Sequence, residues 1–456
     1  MAESTFSEDR YEKLLEEIFV RFPSVQKASF ADAYKPGLEG MSRFALALGN
    51  PHDTYYSIHI AGTNGKGSVA NLLASAFHSC GAKVGLYTSP HILDFRERMR
   101  VDGRMPSKEW VYSFLCSWKK TMDELDLSFF EITTGMAMAF FAEEGVDIAV
   151  FEVGLGGRLD STNIIRPLLS IVTSIGLDHM DILGDTRAKI AEEKAGIFKR
   201  GVPALCGEKD PETEPVFREV AERVQSPLYF VQDFRLDQGW REDLLSRMDL
   251  RGPYQGKNLS TVLCARDLLL STYPDNKVVS LLGRRELFSE GMIHTARDMD
   301  FHGRWEKVGS NPDIICDIGH NSAALRENFD QLRSLLEKGE YSSLYIVYAV
   351  MADKDLGAIL PLMPLLGRYY FCTPATRRSL PSGEILERVV SYRRENSLPE
   401  GTLLDCGSVE RALERAIGDA SCDKGALVYV GGSNFAVAEA RALLLGKASG
   451  TTPEKL

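Results

Sequence analysis

The stretch His59-Ile60-Ala61-Gly62-Thr63-Asn64-Gly65-Lys66-Gly67-Ser68 constrains the fold more than any other part of the chain. An apolar strand enters it, three glycines punctuate it and a helix leaves it. Glycines let backbone N–H groups curl around an anion, the helix N-terminus adds partial positive charge, and Lys66 adds a full one. Ser68 is placed to touch a phosphate or a metal ion. The spacing departs from G-x-x-x-x-G-K-[ST], which asks for glycine where Ile60 stands and for serine or threonine where Gly67 stands. The alternative is an ordinary glycine-rich turn; a lysine after glycine in a strand–turn–helix setting favours a phosphate cradle.

Around this loop the chain keeps the alternation of a parallel α/β sheet. Helical spacing of Leu14, Leu15, Ile18 and Phe19 predicts a helix over Tyr11–Arg21. Strands are predicted at 55–60, 83–87, 147–153 and 169–173, with a helix beginning near Lys66. A polar break falls at residues 292–304, after which the rhythm restarts. Strands follow at 314–317, 343–349, 369–373 and 427–430, with a helix at 322–338. The 456 residues suit two to three domains of about 150 residues each. The expected division is 1–297 and 298–456, and the polar tail after residue 446 is expected to fray.

With 53 Lys+Arg against 64 Asp+Glu the formal net charge is −11, which argues against nucleic-acid binding on a broad basic face. A local basic pocket for an anionic substrate remains compatible with it. The eight cysteines are never closer than sixteen residues, so no C-x-x-C metal or redox pair exists. Buried free thiols in a reducing compartment are expected. The acidic N-terminus does not read as a signal peptide and no apolar run approaches 18 residues, so a cytoplasmic protein without a membrane partner is expected.

Further segments repeat the loop's message in order. They are Leu86-Tyr87-Thr88-Ser89-Pro90-His91, Arg96-Glu97-Arg98, Phe130-Glu131-Ile132-Thr133, and the run from Glu152 through Gly154-Leu155-Gly156-Gly157-Arg158-Leu159 to Asp160. Then come Asp178-His179, Glu193-Lys194-Ala195-Gly196-Ile197, His302-Gly303-Arg304-Trp305-Glu306 and Asp317-Ile318-Gly319-His320-Asn321. With the loop they span residues 59 to 321. In this combination the chain resembles the Mur ligase superfamily and, more narrowly, the folylpolyglutamate synthase/dihydrofolate synthase family. The fold so implied is α/β: an N-terminal P-loop ATPase domain with a mainly parallel sheet, and a smaller Rossmann-like C-terminal domain. The active site is expected in the cleft between them, closing on substrate.

The activity implied is ATP-dependent amide formation. A carboxylate is a poor electrophile, so it is first phosphorylated by ATP, and the amino group of L-glutamate then attacks the acyl phosphate. The substrates implied are dihydropteroate and reduced folates. The resemblance assigns Thr63, Asn64, Gly65, Lys66, Gly67 and Ser68 to the phosphate cradle. It assigns Gln255 and Asn258 to the adenine side, with Tyr254 where histidine is common, and Arg304 and Asp317 to the nucleotide. Ser89, Glu152 and His179 would hold magnesium, with two ions expected. Imidazole is an unusual ligand for so hard a cation, so His179 rests on the resemblance alone. Lys194 would be carbamylated by carbon dioxide, which requires a neutral amine and hence a lowered pKa; unmodified, it would bridge Glu192 or Glu193. Lys66, Lys194 and His320 are the catalytic candidates, Arg158 and Asp160 the substrate-binding ones. His91, after Ser89-Pro90, stands out among the remaining histidines.

The motif at Asp317 departs from the family's Asp-Gly-Ala-His-Asn-Pro: Ile318, Gly319 and Ser322 replace Gly, Ala and Pro. Met351-Ala352-Asp353-Lys354-Asp355 is similar to the family's Asp-Lys-Asp turn. The Gly157–Asn163 run looks like the bacterial bifunctional type. The alternatives are a polyglutamylase alone, a cell-wall ligase, or a nucleotide-binding regulator without chemistry. A cell-wall ligase would carry a further N-terminal domain where only 58 residues precede the loop. A regulator would be expected to lack one of Lys66, Glu152, His179 or Lys194. A monomer is expected.

Overall fold

The computed structural model describes residues 6–21 and 37–446, without the side chains of residues 19–21. The tail after residue 446 and the Phe19 side chain therefore lie outside the described residues. Two compact units emerge: residues up to Asp249 with Tyr254–Phe301, and Leu250–Pro253 with the chain from His302 onward. The first unit reaches four residues past the expected division at 297. The short helix Thr295–Asp298 packs on the helix Lys66–Ser79, and Asp249 takes the backbone N–H groups of Ala296 and Arg297, both at 3.0 Å.

The first unit is built on a seven-stranded sheet. Its strands are β1 (Tyr56–Ala61), β2 (Val84–Tyr87), β3 (Met99–Val101), β4 (Ile148–Glu152), β5 (Leu169–Val172), β6 (Ala204–Cys206) and β7 (Leu228–Phe230). They lie in the order β3-β2-β4-β1-β5-β6-β7, all parallel except β3 against β2. Ile58, Ile60, Val150 and Ile171 are fully buried, as expected of strands covered on both faces. The parallel register sets Ile60 beside Glu152 and Ala61 beside Val172. The ends of β1, β4 and β5 therefore open on one edge of the sheet, where α/β proteins place ligands.

The second unit carries six strands: β8 (Glu306–Gly309), β9 (Asp313–Asp317), β10 (Ser343–Tyr348), β11 (Arg368–Cys372), β12 (Leu403–Gly407) and β13 (Ala426–Gly431). Their order is β12-β11-β10-β13-β9-β8, again parallel but for β8 on β9. Two apolar layers, one around Phe329, Ile346 and Tyr369 and one around Val347, Ala416 and Val437, cover its faces.

The predicted strands and the helix Lys66–Ser79 are present to within a residue or two at each end; the N-terminal helix begins earlier, at Glu8. The five strands β3, β6, β7, β8 and β12 were not predicted. All eight cysteines are unpaired, but Cys116 and Cys422 are exposed and Cys406 is half-buried, which corrects the expectation of uniformly buried thiols. Among the described residues no helix is long and apolar enough to cross a membrane.

Candidate active site

Between β1 and the helix Lys66–Ser79 the chain makes a tight loop. Gly65 has φ +87°, and a Cβ there would lie 2.5 Å from Asn258 Oδ1. Only glycine meets both demands. The loop is fastened to the segment after β5. Thr63 N donates to Ser174 O at 2.8 Å, Asn64 N to Ser174 Oγ at 3.2 Å, and Thr173 Oγ1 to Asn64 O at 2.6 Å. Thr63 Oγ1 donates to Gly176 O and accepts from Gly176 N, at 3.1 and 3.0 Å. Lys66 Nζ folds back onto the carbonyls of Gly62 and Thr63 at 3.0 and 3.3 Å. Its charge is thus held over the loop by neutral acceptors rather than by a carboxylate.

Gln255 and Asn258 open the helix Gln255–Thr272 and face this loop from behind. Gln255 is fully buried and donates to Ser68 Oγ at 3.3 Å, while Asn258 Nδ2 donates to Gln255 Oε1 at 2.9 Å. Gln255 therefore supports the loop, and Ser68 itself is buried.

Glu152 closes β4, buried, and accepts the Ser89 N–H at 3.1 Å. The Ser89–Arg98 loop is stiffened by Glu97, which takes the N–H groups of Ile92, Leu93 and Asp94 at 2.7, 2.9 and 2.9 Å. Arg98, buried beneath it, donates Nε to His91 Nδ1 at 2.9 Å and lies 5.1 Å from the Phe129 ring. Because arginine only donates, His91 accepts at Nδ1. His179 stands at φ +52°, ahead of the short helix Met180–Leu183, with its ring 4.0 Å from the Asp178 carboxylate.

Asp160 is buried with both oxygens engaged. Oδ2 accepts from the N–H groups of Gly154 and Leu155 at 2.9 and 3.0 Å; Oδ1 accepts from Thr162 N at 3.0 Å and from the Thr162 hydroxyl. Burial nevertheless raises its pKa. The Thr162 hydroxyl, donating to Asp160, accepts in turn from His59 Nε2 at 2.8 Å. His59 is fully buried, and desolvation pushes its pKa down to about 3, so it is neutral. Asp160 thus ties the Gly154–Thr162 loop to β1. Arg158 points outward, with Nε and Nη2 at 3.1 and 2.8 Å from Glu193 Oε1.

Lys194 sits on the helix Arg187–Ala195, four residues after Ile190 and on the same buried face. The backbone packs tightly over it: a Cβ on Gly157 would lie 2.9 Å from Lys194 O. Burial, reinforced by the Lys66 charge and opposed by Asp178 and Asp160, lowers the Lys194 pKa to about 7. Lys66, Lys194, Asp160 and Asp178 are therefore electrostatic neighbours. The pairing of Lys194 with Glu192 or Glu193 finds no support: Glu193 holds Arg158 and Glu192 lies 3.7 Å from Arg223.

In the second unit Asp317 ends β9, 1 % exposed, and accepts from Trp305 N, Gly319 N and Asn328 Nδ2 at 2.9, 2.8 and 2.7 Å. His320 Nδ1 donates to Ile318 O at 3.0 Å, which leaves Nε2 as the acceptor nitrogen. Arg304 is half-buried, one Nη 3.2 Å from Gly303 O. Lys354 lies 3.7 Å from Asp353, which also pairs with Arg378 at 3.0 Å.

Residues 60–224 match the Mur ligase middle domain, and residues 303–434 match the Mur ligase, glutamate ligase domain. The dihydrofolate synthase/folylpolyglutamate synthase of Bacillus subtilis is 34 % identical over 344 residues, 70 % of this chain and 76 % of that protein. The chain belongs to the folylpolyglutamate synthase/dihydrofolate synthase family. A Haloferax volcanii member, named "Probable bifunctional folylpolyglutamate synthase/dihydropteroate synthase", is 34 % identical over 431 residues. They make up 89 % of this chain but only 48 % of that protein, so the chain spans about half the length of this longer relative. Among solved structures of the family, the Yersinia pestis bifunctional enzyme complexed with AMPPNP and a manganese ion superposes with a TM-score of 0.73 at 27 % identity. That match covers 90 % of this chain and 94 % of the other.

Sequence reasoning did not reach Thr173, Ser174, Asn328 or Arg441, nor the roles of Arg98 and Glu306. The first two lie at the end of a predicted strand beside the loop, and that placement was the available signal.

Proposed function

We propose that this chain is an ATP-dependent ligase that adds L-glutamate to dihydropteroate and to reduced folates through an acyl phosphate. The observation that carries this reading is Lys194: a buried lysine with a pKa near 7 and electrostatically coupled to the lysine of a phosphate loop. Its names and bound ligands connect the family to nucleotide, divalent metal and folate substrates.

The donor set fits a divalent cation in part. Glu152, which accepts the Ser89 N–H, and the Ser89 hydroxyl would offer hard oxygen ligands, and the His179 imidazole is added on the resemblance alone. Among the described residues no three His, Cys, Asp or Glu side chains gather closely enough to hold a metal alone. Phosphate oxygens and water would have to complete the shell, as is usual for magnesium. Magnesium, when bound, would neutralise charge on the transferring phosphoryl group. Two ions are assigned, with a carbamylated Lys194 as the additional anion.

The chain's own residues then do the following. The first N–H groups of the helix Lys66–Ser79 and the Lys66 ammonium hold the phosphates of ATP. Arg304 is assigned to the phosphates of the nucleotide, as the resemblance implies. Asp160, its oxygens saturated by its own loop, acts by shaping the Gly154–Thr162 segment against the substrate, with Arg158 at the outer end. His320 Nε2, an acceptor, takes a proton from the glutamate ammonium, and the amine so formed attacks the acyl carbon as phosphate leaves. Gln255 and Asn258 act through the loop, and Asp317 acts by fixing the segment that bears Arg304. We assign the protein to the cytoplasm, as a monomer.

The test is product mass spectrometry with ATP, Mg²⁺ and L-glutamate, given dihydropteroate in one tube and a reduced monoglutamyl folate in another. A one-glutamate gain in both is the expected result. A gain with the folate alone makes the chain a polyglutamylase, and no gain in either overturns the reading.

A further inference from the structure

The Arg304 turn is fixed by residues far from it in sequence. Glu306 opens β8, and its carboxylate is surrounded by donors. Oε1 accepts from His302 Nδ1 at 3.0 Å and from Arg441 Nη2 at 3.1 Å; Oε2 accepts from Gly303 N at 2.8 Å. Arg441 Nε sits 2.9 Å from Oε2 as an ion contact, off the line of a hydrogen bond. Arg441 belongs to the helix Asn434–Leu444, and its side chain is 4 % exposed.

The other side of the turn is held by Asp317, which accepts the Trp305 N–H at 2.9 Å. The residues on either side of Arg304 therefore each give their backbone N–H to a buried or half-buried carboxylate. Trp305 pays conformationally for this, at φ +54°, a region an L side chain rarely adopts. Its ring is held 5.8 Å from that of Tyr429. Arg304 has little backbone freedom left.

We propose that Arg441 is a positioning residue for Arg304, acting through Glu306. The planar guanidinium sets the orientation of the Glu306 carboxylate, the carboxylate sets the Gly303 peptide, and the peptide sets the direction in which Arg304 leaves the chain. What the guanidinium supplies beyond attraction is direction. Lysine, a point charge without a planar fork, would reproduce the attraction but not the orientation. This inference rests on the proposed contact of Arg304 with the nucleotide phosphates.

A double-mutant cycle tests it, using R304A, R441M and R304A/R441M in the full chain, with R441K alongside. Steady-state kinetics give kcat/KM for ATP and, separately, KM for L-glutamate. R441M is expected to lower kcat/KM for ATP about tenfold or more while leaving KM for glutamate within about twofold. R441K should recover part of the loss. R441M in the R304A background should cost almost nothing further, because the two residues act as one unit. If R304A is impaired while folded R441M matches the wild type, the positioning role is overturned and the reading of Arg304 survives. Additive losses in the double variant overturn it equally. If R304A itself leaves the ATP parameters unchanged, the phosphate contact fails and this inference with it. Should R441M not fold, R441K, which keeps a buried charge beside Glu306 without the planar fork, carries the same comparison with Arg304.

Discussion

The phosphate loop and the Arg304 turn each present one cation on a constrained backbone, by opposite means. Lys66 is held by carbonyl oxygens of its own loop, which is fastened by hydroxyl and peptide groups of Thr173 and Ser174. No carboxylate of the loop neutralises it. Arg304 sits between Gly303 and Trp305, whose N–H groups are gripped by the carboxylates of Glu306 and Asp317. Neutral fastening keeps a charge available to an anion where the binding site is the backbone itself. Charged clamping suits a residue whose backbone only has to aim. The first takes its cation and that cation's acceptors from one short loop, with fastening from residues 173 and 174; the second is assembled from residues 302 to 441.

Five substitution sites would break or sharpen this contrast. The largest effect is expected from Lys66→Met, which should lower turnover by about 10³-fold in a folded protein, because the transferring phosphoryl group loses its fixed counter-charge. Retained turnover would mean that the loop binds through its backbone alone.

Lys194 comes next. With a pKa lowered to about 7 it exists half as neutral amine at that pH. Turnover in bicarbonate-depleted buffer should fall and recover on adding bicarbonate, more fully at pH 8 than at pH 6. Lys194→Arg, permanently charged, should not respond. The linkage to folding has a definite sign. The unfolded chain keeps this proton up to about pH 10.5, so burying the ammonium weakens the fold fully below pH 7, and the penalty fades as pH rises between those values. Lys194→Met should erase that part of the pH dependence in chemical denaturation.

Asp317→Asn should cost about 2 kcal/mol, because an amide donor replaces one acceptor among three N–H groups. Gly65→Ala, forced to keep φ +87° against Asn258, should cost about 1–2 kcal/mol. If clamping is what aims Arg304, the first change should also weaken ATP binding more than its loss of stability implies. The smallest effect belongs to Arg158→Ala, an exposed ion pair with Glu193 worth less than about 0.5 kcal/mol. A rise in KM for the folate alone would mark Arg158 as a substrate contact.

The same contrast explains what could be read from the sequence. The long central strands and the loop were legible because burial on both faces writes continuous runs such as Ile148–Glu152, and because glycine spacing is local. β3, β6 and β7 have three residues each, too few to show a period. β8 begins inside a motif read for its chemistry, and β12 mixes exposed and half-buried positions. The lowered pKa of Lys194 was expected from the chemistry asked of it, and the helix face it shares with Ile190 supplies the cause. Asp160 was expected to face substrate directly, whereas its oxygens are occupied by its own loop. Arg441 carried no signal, since nothing in an alanine-rich terminal helix announces that its arginine points inward to a carboxylate 135 residues earlier.

The strands missed for their shortness have a colloidal consequence. The first sheet ends on β3 and β7, of three residues each, and the second on β8 and β12, of four and five. An open strand edge is a template on which another chain can add itself, and its reach scales with its length. Here the longest such edge offers five peptides and the rest fewer. Two mainly parallel sheets therefore present little edge on which copies could pair.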